Sequence, residues 1–200
     1  MIFIVVYLVQ AVSWVVLELL NRAHVRTEGH KVPLPFKDIL DESKLREMKT
    51  YTLENSAFSM VHKLIVDSVL LVIIASGIIN YFDILSDRAP ESFVWSGLAF
   101  FYATVAFLFI LELPFDYYHT FVIEQKHGFN RSDLSVWIRD NLRVAAVSAV
   151  ILFVLAGSLL WTISRFPHYW WFWGFVIVSG VQFVLIVLYP ILIAPLFNKF

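Results

Sequence analysis

The stretch LPFDYYHTFVIEQKHGFN, residues 113–130, follows directly on an apolar run and is dense in polar, aromatic and turn-forming side chains. Read locally, it predicts a membrane helix that stops, a short helical passage at the surface, and a helix-to-helix corner. Pro114 ends the preceding run, because proline lacks the amide hydrogen and disfavours helical geometry in the residue before it. Residues 115–127 then read as helical again. Gly128 is a natural C-terminal stop, with Lys126 and His127 in the last turn, where positive charge suits the free carbonyls and the helix dipole. Asn130 is placed to cap the next helix, and Phe129 with Leu134 has the spacing of a hydrophobic staple.

The sequence on either side of this stretch is lipid-soluble. The chain has 200 residues, 60% of them hydrophobic, and a mean hydropathy of +0.75. Ordinary soluble domains hold roughly 45–50% apolar residues, so the class is integral membrane. Crossing a bilayer core takes about 20 apolar residues, and runs of that kind predict an all-α fold of five spans at about 2–20, 64–82, 93–113, 144–161 and 171–192. The first run has neither a basic leader nor a small-residue cleavage site and reads as a retained span.

Between spans one and two lie a Pro-containing connector at residues 32–35 and a surface helix from about Asp41, in which Glu42 and Arg46 make a favourable i,i+4 pair. Arg88 and Pro90 fall in the loop before span three. Leu134, Trp137, Ile138 and Leu142 give one apolar face to a helix that runs into span four. Residues 168–173, HYWWFW, read as an interfacial aromatic belt, and Pro190 bends the exit of span five.

Arg22, Arg26, Lys31, Lys37, Lys44, Arg46, Lys49 and Lys63 lie in the first connector, and Lys126, Arg131, Arg139 and Arg143 in the third, against only Arg88 and Arg165 opposite. Basic residues near span ends stay cytoplasmic. The expected topology therefore has an extracytoplasmic N-terminus and a cytoplasmic C-terminus, with the corner and its surface helix inside. A formal charge of −1 gives no case for nucleic acid, and with no cysteine there is neither a disulfide framework nor a thiolate nucleophile.

Residues 121–130, FVIEQKHGFN, closely resemble the F-V-I-E-x-K-H-G-F-N signature of type I CAAX prenyl proteases, which are membrane-embedded zinc metalloproteases. Residues 193–200, IAPLFNKF, resemble the I-A-P-L-F-[DN]-K-F segment that follows the fifth helix of that family. The resemblance makes Glu124, Lys126, His127, Gly128, Phe129 and Asn130 signature residues with a structural or substrate-chamber role. It also implies a zinc cofactor for a complete member, a prenylated or other peptide substrate, and a zinc-binding segment after the fifth helix.

The chemistry written in these residues is sparse. Glu18, Asp67 and Glu112 are acids near membrane depth, where such residues face a bundle interior or snorkel to the interface. They read either as the lining of a water-filled vestibule open to the cytoplasm or as interfacial residues without a role. Glu124 and His127 form an E-x-x-H pair, half of a di-iron site, but no second such pair occurs and helix-end chemistry accounts for His127. Ion pairs at the corner are the expectation for Glu124 and Lys126.

A zinc peptidase needs two imidazoles one helical turn apart with a carboxylate beside the first, the H-E-x-x-H arrangement. His24, His30, His62, His119, His127 and His168 are the histidines, none is followed by Glu, and no two are separated by three residues. No G-x-S-x-G elbow or phosphate-binding glycine loop offers another mechanism. The expectation is the N-terminal membrane half of such a protease: part of the chamber wall, no catalytic residue, no metal ligand, and no hydrolysis by the isolated chain. A non-enzymatic binding or assembly protein, or a subunit of a split protease, is the alternative. A small channel or transporter fits less well, because spans four and five carry no charge and no inverted repeat occurs.

Overall fold

Between Glu42 and Ala75 the chain has neither glycine nor proline, so nothing in its covalent structure interrupts a helix once it has started. A computed structural model describes residues 2–29, 41–77, 93–193 and 195, and in it this whole segment is one helix. The elements in order are α1 (Ile2–Glu28), α2 (Glu42–Ala75), α3 (Phe93–Tyr118), α4 (Leu134–Arg165) and α5 (Trp170–Leu188). A π-helical turn, His119–Glu124, continues α3, and another, Tyr189–Ile193, continues α5. All five helices are long and apolar enough to cross a membrane, and no strand occurs among the described residues.

Several predicted boundaries move. The surface helix expected from Asp41 is not a separate element but the first half of α2. At 1.5 Å per residue its 34 residues extend about 50 Å, well beyond a hydrocarbon core of about 30 Å. Likewise α1 runs through Asn21 to Glu28, and the helix entering span four is continuous with it from Leu134 to Arg165.

Pro114 does not end α3. It lies inside the helix, removing the one hydrogen bond its amide would have donated to Ile110, a loss that membrane helices accommodate by local adjustment. The connector at residues 32–35, the loop with Arg88 and Pro90, and all of residues 194–200 except Pro195 lie outside the described residues.

The corner also differs in detail. Gly128 stops the helix as its position predicts, with φ +74°. Phe129 N–H donates to Glu124 C=O at 2.8 Å and Gly128 N–H to Gln125 C=O at 3.2 Å, the paired bonds of a Schellman turn. The cap of the next helix, however, is Asp133 and not Asn130. Its carboxylate accepts from Val136 N–H at 2.8 Å and from Ser135 Oγ at 2.8 Å. The staple spacing of Phe129 and Leu134 therefore lapses, and Phe129 instead meets Tyr51 edge-on, 4.8 Å between ring centroids.

The chain divides into two compact units. The first comprises Met1–Ser76 and Leu111–Arg131. Here α1 and α2 are antiparallel: Tyr7 O–H donates to Asp67 C=O, Ser56 to Glu18, Arg22 to Leu53 C=O and Ser56, and Lys49 to Arg26 C=O. The second comprises Gly77–Ile110 and Ser132–Phe200. Its core is Leu98, Ala156 and Leu160, with Phe93, Val94, Tyr102 and Leu152 against it. Tyr102 O–H donates to Ala149 C=O at 2.6 Å, and Phe166, just past the end of α4, packs on Trp173 of α5.

Few side chains are buried and long rows of Val, Leu, Ile and Phe on α1 and α5 are open. In water that exposure would be ruinous. In a bilayer it is the ordinary outer surface, because the lipid tails are as apolar as the side chains.

Candidate functional site

Tyr51, Glu54, Asn55, Phe58 and His62 recur three and four residues apart, so they share one face of α2. In the first unit that face meets the end of α3, its π-helical turn and the corner. His62 Nε2 lies 2.7 Å from Glu112 Oε2, and its ring lies against Phe115 with centroids 4.5 Å apart. Phe58 stacks on Tyr118 at 5.5 Å and on His62 at 6.0 Å. His119 Nε2 is 2.9 Å from Asn55 Oδ1, and its Nδ1 is 3.6 Å from Glu124 Oε1.

At the cytoplasm-predicted end of this seam, Glu54 takes both basic members of the signature. Lys126 Nζ donates to Oε1 and Oε2, each at 2.9 Å, and His127 Nε2 lies 2.9 Å from Oε2. The His127 side chain is only 6% exposed and meets Tyr51 edge-on at 5.2 Å. Such charge-assisted bonds are the stronger kind, and a nearly buried ring is where an unpaired partner costs most.

Beside these contacts runs an open groove of about 520 Å³, lined by Glu54, Ala57, Phe58, Val61, Pro114, Phe115, Tyr118 and Ile123. Ile123 is almost fully buried, held there by the π-helical turn. Of these lining residues Glu54 is the charged one, and its charge faces Lys126 and His127. The groove is thus apolar along its length and polar at one end, a shape suited to an amphipathic chain.

The sequence-predicted site residues fall as follows. Lys126 and His127 converge on Glu54, Glu124 faces His119, Gly128 makes the turn, Phe129 packs on Tyr51, and Asn130 Nδ2 reaches Gln125 Oε1 at 3.4 Å. Glu124 and His127 do not share a partner. The three acids are separately occupied: Glu18 by Ser56, Asp67 by Lys63 at 2.8 Å, and Glu112 by His62. Sequence reading missed Glu54, Asn55, Phe58, His62 and His119. For the α2 residues the available signal is their regular spacing, masked by the polar character of residues 41–63, which reads as a surface segment.

Among the described residues no three His, Cys, Asp or Glu side chains are grouped to hold a metal, and the sequence contains no H-E-x-x-H.

Comparison with known proteins agrees with the geometry. The family described as "CAAX prenyl protease N-terminal, five membrane helices" matches residues 21–199. The CAAX prenyl protease 1 homolog of Homo sapiens is 31% identical over 187 residues, covering 90% of this chain and 39% of the human protein. That of Arabidopsis thaliana is 28% identical over 178 residues, covering 84% and 42%. The crystal structure of S. mikatae Ste24p superposes with a TM-score of 0.79 at 23% identity, over 96% of this chain and 46% of that one, a likeness of fold. The chain thus spans less than half the length of these relatives. It belongs to the CAAX prenyl protease family, whose N-terminal five-helix membrane region it carries.

Proposed function

We propose that these five helices form part of the membrane-chamber wall of a zinc metallopeptidase that cuts peptides near a lipidated C-terminus, and that the α2–α3 groove faces the substrate. The observation that carries this reading is the groove itself, apolar over most of its lining, with Glu54, the acceptor of Lys126 and His127, as its charged residue. An isoprenoid-bearing peptide has the matching chemistry: a branched hydrocarbon for the Phe58, Val61 and Phe115 surface, and polar backbone for the cluster.

Zinc and its ligands would come from a segment outside these 200 residues, downstream or on a separate chain, since the sequence has no H-E-x-x-H and no three donors are grouped among the described residues. No chemical step is therefore assigned to this chain. Its residues bind, orient and exclude water, and effective positioning alone is worth several kcal/mol of a reaction barrier. The N-terminus lies outside the cytoplasm and the corner inside it, as the basic residues predict. Reporter fusions at Arg88 and Lys126 are expected to read opposite sides, and the same side for both overturns that topology.

The test of the groove is photo-crosslinking. A photoreactive amino acid at Val61 or Phe115 is expected to capture a farnesylated peptide, with competition by unlabelled peptide, whereas the same probe at Phe183, an open position on α5, is not. Equal capture at all three sites, unaffected by competitor, removes the reading.

A further inference from the structure

Glu54 lies outside the signature, more than sixty residues before its first member, yet Lys126 and His127 have no other side-chain acceptor among the described residues. The Schellman bonds at Gly128 fix the internal shape of the turn. They do not fix where that turn stands on α2. The Asn55, Phe58 and His62 contacts hold the end of α3 and its π-helical turn on α2; at residues 126–130 themselves two contacts one helical turn apart do so: the Tyr51 ring against His127 and Phe129, and the Glu54 carboxylate against the ammonium and the imidazole.

The two contacts differ in kind. Ring contacts tolerate sliding, because an edge-to-face pair is worth only about 0.5–1.5 kcal/mol beyond its area and has a broad optimum. A carboxylate bridging two donors at 2.9 Å allows little movement. Glu54 also lines the groove, so the same side chain sets both the position of the corner and one end of the cavity.

We propose that Glu54 is the positioning residue of the signature corner: by holding Lys126 and His127 together it fixes residues 126–130 against α2 and shapes the end of the groove. The functional weight of that placement rests on the groove reading above, but the placement itself is measurable without substrate.

The 200 residues contain no cysteine, so paired labels are easily introduced. Nitroxides at Lys44→Cys and Arg131→Cys, both in the first unit, report the distance from α2 to the corner by pulsed electron resonance on the full chain in nanodiscs. The parent is expected to give one narrow distance peak. Glu54→Ala and Glu54→Lys are expected to lose it to a broad distribution, and the charge exchange Glu54→Lys with Lys126→Glu to recover a narrow peak that Glu54→Lys alone lacks.

An unchanged narrow peak in Glu54→Ala, on helical and monodisperse protein, overturns the proposal, as does an exchange variant no narrower than Glu54→Lys. Glu54→Gln, which keeps the side-chain shape, gives the same reading if the alanine chain does not fold. Failure of peptide crosslinking with the distance signature intact would sink only the groove reading.

Discussion

Gly97 on α3 lies so close to Leu160 on α4 that a methyl group at the glycine would stand 2.6 Å from Leu160 Cδ1 and 2.9 Å from Cδ2. Leu160 is itself buried beside Leu98 and Ala156, so it has little room to retreat. Overpacking of this kind costs about 1–3 kcal/mol, against a helix-propensity gain of roughly 1 kcal/mol for replacing glycine. Gly97→Ala is therefore expected to destabilise the second unit modestly and Gly97→Leu severely, read by thermal unfolding in detergent. Combined with Leu160→Ala, the Gly97→Ala penalty disappears; strict additivity of the two changes would contradict the contact.

The Asp133 cap makes a pH prediction. The Val136 amide and then the Ser135 hydroxyl hold its carboxyl below the ordinary value of 3.8. A carboxylate whose pKa is lower folded than unfolded contributes stability above the unfolded value and loses it as pH falls through the folded one. The difference in melting temperature between the parent and Asp133→Ala is thus expected to be constant near neutrality and to shrink on acidification below about pH 4. A difference that grows in acid would reverse the assigned sign.

At Gly128 the backbone has φ +74°, and a β-carbon placed there would have no atom within 4 Å, so any penalty for a side chain is conformational and not steric crowding. Left-handed geometry costs an L-residue about 1–2 kcal/mol, with Asn better suited than others. Stability is expected to fall in the order Gly, Asn, Ala, measured on Gly128→Asn and Gly128→Ala. Alanine equal to glycine would mean that the turn is made differently.

Tyr102 provides a hydrogen bond from α3 to the backbone of α4, 2.6 Å from its hydroxyl to Ala149 C=O. Tyr102→Phe keeps the ring and removes the donor, with an expected loss of about 0.5–1.5 kcal/mol. An unfolding curve identical to that of the parent would show that the carbonyl is satisfied without it.

What the sequence makes legible is what depends on near neighbours. Five apolar runs announce five helices, and Gly128 announces its turn because only local backbone geometry is involved. Boundaries are harder to read: the change from polar to apolar near Lys63 marks an environment, whereas a helix ends only where its hydrogen bonding is broken, and nothing from Glu42 to Ala75 breaks it. Pro114 errs the other way, a helix breaker in isolation that lies within α3. Asp133 and not Asn130 is the cap because the helix begins at Leu134, which puts the Asp133 carboxylate within reach of the Val136 amide. Glu54 is invisible for a different reason. Its partners are 72 and 73 residues away, and one sequence does not disclose a pairing made by packing two helices.

The claim on which the account rests is that these residues build an enclosure and do not hold the catalytic ion. The most direct measurement is the zinc content of the purified 200-residue chain, by elemental analysis after equilibration with zinc and removal of free metal. The account predicts far less than one zinc per chain, unchanged by His119→Ala or His127→Ala. One tightly held zinc per chain, lost when those histidines are replaced, would contradict it.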